Sequence, residues 1–359
     1  MRKKTLLIVG GHLTPALAVI EQIRRTTDWN ISWVGREFAM EGVKTASLEY
    51  KIIPELGIPF YTLYTGRFQR RWTRWTAPSL LRIPIGFFHA LVLLLKLKPR
   101  VILSFGGYLS PPMVIAGWVL NIPSVIHEQT AASGLANRTV SPFAAAIALS
   151  YHTSAPEFPH EKTVLTGNPV RREILEIKRR PTKPPLLFIT GGNQGSQTIN
   201  RAVARILARL VNRYRVIHQT GTLDYRKFAA KQTRFPGRYR VYANLAPSEI
   251  PNVLARASLV VGRAGANTVA EVAAVGVPAI FIPIPWSERG EQVKNAQLLS
   301  SAGLARVILQ EQLTPEFLLS TIDEILHTPV PRSAARAAKK LVQKDAAEKL
   351  VDLVRKYME

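Results

Sequence analysis

The feature that most constrains the fold is a regular alternation of short β-branched apolar runs with amphipathic helical patterns. In the first half of the chain, runs with the length of strands lie at 6–9, 31–34, 101–104, 124–126, 144–149 and 163–165. A helical pattern at about 14–25 follows the first run. Parallel strands need such crossover helices between them, so the alternation predicts a doubly wound α/β sheet.

A basic, proline-rich stretch from Lys178 to Pro185 interrupts this alternation, which then starts again. The new apolar runs lie at 186–189, 215–218, 259–261 and 279–282. A chain of 359 residues fits two domains at about 150 residues each. We therefore predict an α/β fold with two Rossmann-like domains facing a cleft, at 1–165 and 166–332.

The C-terminal segment has apolar residues near helical spacing, and we predict one long amphipathic helix from Arg332 to Glu359. Its polar face mixes Asp345, Glu348 and Asp352 with lysines. A membrane anchor would favour a more uniformly basic face. We therefore expect the helix, at about 333–359, to pack back on the first domain.

Two absences limit the chemistry. The chain has no cysteine, which excludes disulfides, thiolate metal sites and cysteine nucleophiles. It also has no Asp-x-Asp and no His-x-x-x-His motif, so we expect no metal site and no cofactor.

The apolar run at Leu6–Val9 is too short for a signal peptide and fits a first strand better.

The net charge of +24 favours polyanionic partners, either nucleic acid or anionic lipid. No acidic residue occurs from Leu56 to His127. Within this stretch, Phe68, Trp72 and Trp75 alternate with arginines, and the apolar run Ile83–Leu95 follows. Thirteen residues are too few to span a bilayer, but aromatic, basic and apolar residues together suit an interfacial docking site. The alternative is that Ile83–Leu97 is an ordinary core helix of the first domain and that only the arginines are exposed. Both interpretations hold if the helix packs inward while the loop before it touches lipid headgroups.

Three polar motifs follow predicted strands of the first domain: Gly10-Gly11-His12, Gly106-Gly107-Tyr108 and His127-Glu128-Gln129. Ligands of open α/β sheets bind at the carboxyl ends of the strands, so these motifs can share one site. Histidine titrates near neutrality and is a candidate general base. Each motif, taken alone, is also compatible with a turn that has no functional role.

Two further motifs follow strands of the second domain. The run Gly191-Gly192-Asn193-Gln194-Gly195 leads into a helix whose first amides attract phosphate. It lacks the G-x-G-x-x-G spacing of dinucleotide dehydrogenases, which argues against hydride transfer. In Gly262–Glu271, the carboxylate of Glu271 can accept hydrogen bonds from a ribose diol, although a surface glutamate is the alternative.

Taken together, these motifs resemble the MurG family, the UDP-GlcNAc-dependent N-acetylglucosaminyltransferases of peptidoglycan synthesis. The matching segments cover nearly the whole chain in family order: GGH (10–12), GGYLSPP (106–112), HEQ (127–129), GNPVR (167–171), GGNQG (191–195), GRAGANTVAE (262–271) and EQVKNA (291–296). The resemblance implies a glycosyltransferase-B fold with the lipid acceptor and the membrane on the first domain and UDP-GlcNAc on the second.

By the same resemblance, GlcNAc passes from UDP-GlcNAc to the C4 hydroxyl of undecaprenyl-pyrophosphate-linked MurNAc-pentapeptide with inversion, at the cytoplasmic face of the membrane. His12 is the implied base. The implied donor residues are Arg171, Gly191, Gly192, Asn193 and Gly195 for the diphosphate, Gly265, Ala266, Asn267, Thr268 and Glu271 for the nucleoside, and Gln292 and Asn295 for the sugar. The implied acceptor residues are Gly10, Gly11, Gly106, Gly107, Tyr108, Glu128 and Thr130.

The chain departs from the family pattern on the acceptor side. The family usually has GGTGGH in its first loop, whereas this chain passes from Val9 directly to GGH. Thr130 stands where asparagine is common, and Asn193 stands where serine is common. A different lipid acceptor such as diacylglycerol, a non-catalytic sugar-nucleotide binder and a nucleic-acid-binding protein are the competing hypotheses. No recognised nucleic-acid module supports the last, and we expect no nucleic-acid partner.

Overall fold

A computed structural model describes residues 4–40, 43–66, 76–328 and 330–359. The chain forms two compact units, an N-terminal unit of Met1–Arg171 with Gln343–Glu359 and a C-terminal unit of Arg172–Val342. The boundary follows Arg171 rather than residue 165, because the 167–171 turn is held by the N-terminal unit. There, Nε2 of His127 lies 3.2 Å from the carbonyl oxygen of Gly167.

The N-terminal unit is built on a seven-stranded sheet in the order β5-β2-β1-β6-β7-β8-β9, with all pairs parallel. Its strands are β1 (Thr5–Val9), β2 (Asn30–Gly35), β5 (Phe60–Thr62), β6 (Val101–Ser104), β7 (Ser124–Glu128), β8 (Ala146–Leu149) and β9 (Thr163–Leu165). A separate antiparallel pair consists of β3 (Phe38–Met40) and β4 (Val43–Ala46). The helices are α1 (Leu13–Thr26), α2 (Leu48–Glu55), α3 (Thr76–Leu97), α4 (Ser110–Val119), α5 (Leu135–Val140) and the C-terminal α14 (Ala346–Met358).

The C-terminal unit has a six-stranded parallel sheet in the order β12-β11-β10-β13-β14-β15. Its strands are β10 (Leu186–Thr190), β11 (Arg215–Gln219), β12 (Tyr239–Tyr242), β13 (Ala257–Gly262), β14 (Ala279–Phe281) and β15 (Ala305–Val307). Its helices are α6 (Arg172–Leu175), α7 (Gln197–Arg213), α8 (Thr222–Gln232), α9 (Ile250–Arg256), α10 (Ala266–Val275), α11 (Glu291–Ser301), α12 (Pro315–His327) and α13 (Arg332–Lys340).

Both sheets reverse their winding direction once. From β1 the chain moves outward to β2 and returns to the other side at β6, and from β10 it moves to β11 and returns at β13. At such a switch point, the loops after the two central strands turn to opposite faces and leave a crevice for a ligand. The two doubly wound parallel sheets confirm the predicted fold class of two Rossmann-like domains.

Helix α3 is longer than the apolar run that marked it in the sequence. Its segment Ser79–Leu97 is long and apolar enough to cross a membrane by length and composition alone, whereas the thirteen-residue run is not. One side of α3 packs into the sheet, where Ala90, Leu93 and Leu94 are buried in a cluster with residues of α4. The arginines and aromatic residues predicted to dock just before it, at 67–75, lie outside the described residues.

The C-terminal segment was predicted to be one continuous helix, but it forms two. Helix α13 ends at Lys340, and α14 begins at Ala346. Each helix buries its apolar residues in its own unit. Ala335 and Lys339 of α13 lie against Gly276 at the end of α10, whereas Leu350 and Val354 of α14 join the N-terminal core. The apolar periodicity continues through the break and therefore conceals it.

Candidate active site

The first two glycine turns of the N-terminal unit lie in backbone contact. Gly11 follows β1 and Gly106 follows the neighbouring strand β6, and a Cβ atom on Gly11 would lie 2.3 Å from the Gly106 carbonyl oxygen. Gly106 and Gly107 have positive φ angles of 77° and 73°. Only glycine fits this approach and these angles without strain. The structure thus brings together the two turns that the sequence placed at one sheet edge, and Tyr108 follows them.

Glu128, at the end of β7, organises the third loop. One carboxylate oxygen accepts from the Thr130 amide at 3.1 Å and from the Thr130 hydroxyl at 2.6 Å. The other accepts from the Gly134 amide at 2.9 Å and from Nδ2 of Asn137 at 3.0 Å. Burial raises the pKa of Glu128, and these hydrogen bonds oppose that rise. The carboxylate therefore closes the 128–137 loop from within.

Asn137 joins this loop to the second glycine turn. Its Nδ2 also donates to the carbonyl oxygen of His127 at 3.1 Å, and its side-chain amide lies beside Gly106. On the other side of the turn, the Ser104 hydroxyl accepts from the Gly106 amide at 3.3 Å and donates to the Ser110 hydroxyl at 2.8 Å. Asn137 and Ser104 fix a turn whose glycines have no side chains of their own to fix it.

Two histidines of the N-terminal unit have depressed pKa values. His12 is the N-cap residue of α1 and is half-buried. Burial, and then the nearby Arg36 cation, lowers the pKa of His12 to about 4. Burial likewise lowers the pKa of the fully buried His127 to about 4, against the opposing hydrogen bond with Gly167. Both imidazoles are therefore neutral at pH 7, as a general base must be.

In the C-terminal unit, the predicted glycine loop connects β10 to α7. Gly192 and Gly195 have positive φ angles of 76° and 75°. A Cβ atom on Gly195 would lie 2.1 Å from the Thr220 carbonyl oxygen, so this loop packs directly on the β11–α8 turn. The Ser196 hydroxyl caps α7 by accepting from the Ile199 amide at 3.4 Å. Asn193 and Gln194 are exposed at the tip of the loop.

The loop after β13 lies beside it, because β10 and β13 are paired with Thr190 opposite Gly262. Gly265 is the N-cap residue of α10, and the space around a Cβ atom there is open. Ala266, Asn267 and Thr268 form the first turn of α10, and Glu271 lies further along the same helix. The starts of α7 and α10, each with the partial positive charge of a helix N-terminus, thus lie at the switch point.

The remaining predicted donor residues are largely buried. Oε1 of Gln292 accepts from the Ile284 amide at 3.1 Å, which fixes the orientation of its side-chain amide. Nδ2 of Asn295 donates to the Ala264 carbonyl oxygen at 3.2 Å and ties α11 to the loop before α10. Arg171 is buried at the end of the N-terminal unit. The contacts of these side chains with a donor stay predictions.

Sequence reasoning missed several residues that shape the two sites, namely Asn137, Ser110, Gln219 and Arg263. Arg263 is buried beneath the start of α10 and donates to the carbonyl oxygens of Ile282 and Pro283 at 2.9 and 3.2 Å. In the sequence, the available signal for Arg263 was its place inside the GRAGA motif. Among the described residues, no group of three or more histidine, aspartate or glutamate side chains could hold a metal ion.

Each switch point has glycine turns and helix starts, and one of them has a neutral histidine. This arrangement suits the transfer of a group from a phosphorylated carrier. Comparison with known proteins identifies the class as glycosyltransferase. Residues 9–149 match the model of the glycosyltransferase family 28 N-terminal domain, and residues 186–351 match that of its C-terminal domain. The chain belongs to glycosyltransferase family 28 and, within it, to the MurG family, which confirms the predicted resemblance and the predicted enzyme class.

Individual relatives support this assignment. The chain is 35% identical to the UDP-N-acetylglucosamine–N-acetylmuramyl-(pentapeptide) pyrophosphoryl-undecaprenol N-acetylglucosamine transferase of Halalkalibacterium halodurans, over 96% of each chain. It is 33% identical to the protein of the same description from Pediococcus pentosaceus, also over 96% of each chain. The crystal structure of Acinetobacter baumannii MurG is similar with a TM-score of 0.71, at 26% identity over 99% of each chain.

The internal role of Glu128 leads to a prediction about stability. In Glu128→Gln, an NH₂ group must face one of the two donor pairs, so we expect the free energy of unfolding to fall by about 1–3 kcal/mol. Denaturant unfolding of the whole chain measures this loss. Glu161→Gln, at an exposed turn of the same unit, is the matched control and should change little. Equal stability of the two variants would contradict the role of Glu128.

Proposed function

We propose that this enzyme transfers GlcNAc from UDP-GlcNAc to the C4 hydroxyl of undecaprenyl-pyrophosphate-linked MurNAc-pentapeptide. The product is lipid II, a precursor of the peptidoglycan cell wall. The observation that carries the proposal is identity of 32–35% over almost the full length of relatives described by this reaction. The geometry of the C-terminal unit supports binding of the donor, and that of the N-terminal unit supports binding of the acceptor.

The C-terminal unit is proposed to bind the donor. The starts of α7 and α10 provide amides and partial positive charge for the diphosphate, together with the glycine loop at 191–195. Open space beside Gly265 lets a ligand approach the first turn of α10 closely. We assign the ribose hydroxyls to Glu271 and the sugar to Gln292 and Asn295. Arg171, the last residue of the N-terminal unit, stays a predicted diphosphate ligand by the resemblance alone.

The N-terminal unit is proposed to bind the acceptor. Gly10 packs on Trp33 and Glu49, and Gly11 packs on Gly106, so both are glycine for internal packing. We assign the acceptor diphosphate to the exposed backbone of the Gly11 and Gly106-Gly107 turns, and the loop closed by Glu128 forms the adjoining wall. Thr130 uses its hydroxyl to hold Glu128, so its contribution to acceptor binding passes through the shape of this loop. We assign Tyr108 to the same surface.

His12 is proposed to accept the proton of the attacking hydroxyl. The hydroxyl oxygen forms a bond to C1 of GlcNAc as the bond from C1 to the UDP oxygen breaks, which inverts the anomeric centre. The proton passes to the imidazole, and the electron pair of the broken bond leaves on UDP. With a pKa of about 4, His12 starts neutral but is a weak base. Stabilisation of the departing diphosphate must then supply much of the catalysis.

Helix α3 is proposed to dock the enzyme on the cytoplasmic face of an anionic membrane. Its outer face carries a stripe of exposed apolar side chains at helical spacing: Leu81, Ile85, Phe88, Val92 and Leu95. Arg82 and Lys96 on the same helix are exposed and can meet acidic headgroups. An apolar stripe with flanking cations on a helix whose other face is packed suits binding in the interface.

The shortened first glycine loop left a second acceptor, a lipid without a diphosphate such as diacylglycerol, open at the level of the sequence. The relatives, which are described by transfer to a pyrophosphoryl-undecaprenol acceptor, do not favour it. Turnover of UDP-GlcNAc with undecaprenyl-pyrophosphoryl-MurNAc-pentapeptide and with diacylglycerol, under matched detergent conditions, separates the two. We expect turnover with the first lipid alone. Turnover only with diacylglycerol would replace the proposed acceptor, and turnover with neither would overturn the proposed function.

The proposed base leads to a prediction about rate and pH. We expect His12→Ala to lower kcat at least tenfold while the affinity for UDP changes little, because the loss falls on proton transfer. Since the imidazole is neutral above its pKa, kcat/KM should fall only as the pH drops through about 4. Steady-state rates across pH 4 to 9 test both points. An acid limb near the ordinary histidine pKa of about 6.5 would contradict the depressed pKa.

The docking surface leads to a prediction about membrane binding. Phe88→Asp places a charge in the middle of the exposed stripe, and we expect at least tenfold weaker flotation with anionic liposomes. Turnover of a soluble short-chain acceptor should be unchanged. Phe317→Asp, at another exposed phenylalanine in the C-terminal unit, is the matched control and should float as the unmodified chain does. Undiminished flotation of Phe88→Asp would exclude α3 as the docking surface.

A further inference from the structure

We propose that Gln219 and Asn244 are positioning residues of the donor site, which hold the carbonyl oxygens of the glycine loop away from the bound diphosphate. The inference rests on the proposed donor site in the C-terminal unit. By holding these carbonyl oxygens, the two residues make an uncharged loop selective for an anion. Neither residue belongs to the motifs from which the site was predicted.

The Gly192 carbonyl oxygen is held from inside the protein. It accepts a hydrogen bond from Nε2 of Gln219 at 2.9 Å and another from the Gly195 amide at 3.0 Å. Gln219 ends β11 and is almost fully buried. Its Oε1 accepts from the Leu245 amide at 3.2 Å, so both ends of the side-chain amide are used. Glutamate could accept from Leu245, but it has no donor for Gly192.

The next carbonyl oxygen along the loop is held in the same way. With its amide nitrogen toward the surrounding acceptors, Asn244 donates to the Asn193 carbonyl oxygen at 2.6 Å and to that of Ala243 at 3.2 Å. Two side-chain amides, from the ends of neighbouring strands, therefore bind two consecutive carbonyl oxygens. We call Gln219 and Asn244 the carbonyl clamp.

The clamp leaves the loop amides as the groups that can meet a ligand. Among the described residues, the backbone amides of Asn193 and Gln194 donate to no protein acceptor. An anion is attracted by N–H groups and repelled by carbonyl oxygens, so its affinity depends on which of the two the loop presents. A loop with two positive-φ glycines is conformationally permissive and would not settle this orientation by itself.

The turn behind the loop is fixed by a buried network, which gives the clamp a rigid support. Nδ2 of Asn200 donates to the Thr220 carbonyl oxygen at 2.9 Å, and Oδ1 of Asn200 lies 3.0 Å from Nε2 of His218. The other ring nitrogen of His218 lies 2.9 Å from the Tyr239 hydroxyl. Because Gly195 packs on the Thr220 carbonyl, the loop cannot shift backward to escape the clamp.

The test compares UDP with uridine, which lacks phosphates, in calorimetric binding to the full chain. Gln219→Met keeps the side-chain volume and loses both hydrogen bonds, and Asn244→Ala truncates a partly exposed side chain outside the buried core. Each should weaken UDP binding about tenfold, the size of one lost hydrogen bond, with uridine unchanged. Gln219→Glu, which adds a carboxylate beneath the loop, should weaken it about a hundredfold.

Gln232→Met is the matched control, because Gln232 accepts from the Val241 amide at 2.8 Å without touching the loop, and it should bind UDP normally. Steady-state turnover should show a lower kcat/KM for UDP-GlcNAc with kcat itself reduced, because the same loop amides are proposed to stabilise the departing diphosphate. Unchanged UDP affinity in the Gln219 and Asn244 variants, or equal losses for UDP and uridine, would overturn the clamp. An unmodified chain that binds no UDP would instead overturn the donor site, and the clamp with it.

Discussion

The parallel pairing of β1 with β6, and of β10 with β13, is the constraint on which both sites depend. In each pair the chain leaves the two strands toward opposite faces of the sheet, so the loops after them diverge and leave room for a ligand. Close pairing also requires small residues at the ends of the strands. A Cβ atom on Gly262 would lie 2.6 Å from the Thr190 carbonyl oxygen, and a side chain there would separate the two donor loops.

The central strands could be predicted from the sequence because burial on both faces gives them unbroken apolar runs, as in β1, β6 and β10. Some strands farther out could not, although the edge strand β9 was predicted at 163–165. Strand β12 has one exposed and one half-buried residue among four, and β15 is three residues long with an exposed arginine at its centre. The pairing of such short segments of mixed polarity is determined by neighbouring strands that are distant in the sequence.

The same distinction applies to the sites. Glycine turns that follow central strands could be located from the sequence, since topology alone brings Gly11 to Gly106 and the 191–195 loop to Gly265. The side chains that fix those turns could not, because Asn137 reaches Gly106 across 31 residues of sequence and Gln219 reaches Gly192 across 27. Asn137 and Gln219 occur in no motif with a chemical signature, and only the folded chain shows what their amides hold.

The two proposed half-sites also divide the catalytic work unequally. His12 is neutral at physiological pH because burial and Arg36 both oppose its protonation, and the same influences make it a poor proton acceptor at the start of the reaction. A weak base contributes most when the bond to the leaving group is already well broken and the attacking hydroxyl has become acidic. The rate then depends chiefly on how well the departing diphosphate is stabilised. In the proposed mechanism, loop amides that are oriented before the substrate arrives stabilise the diphosphate without reorganisation. The proposed order of the 191–195 loop therefore offsets the weak basicity that the proposed base, His12, has because of its low pKa.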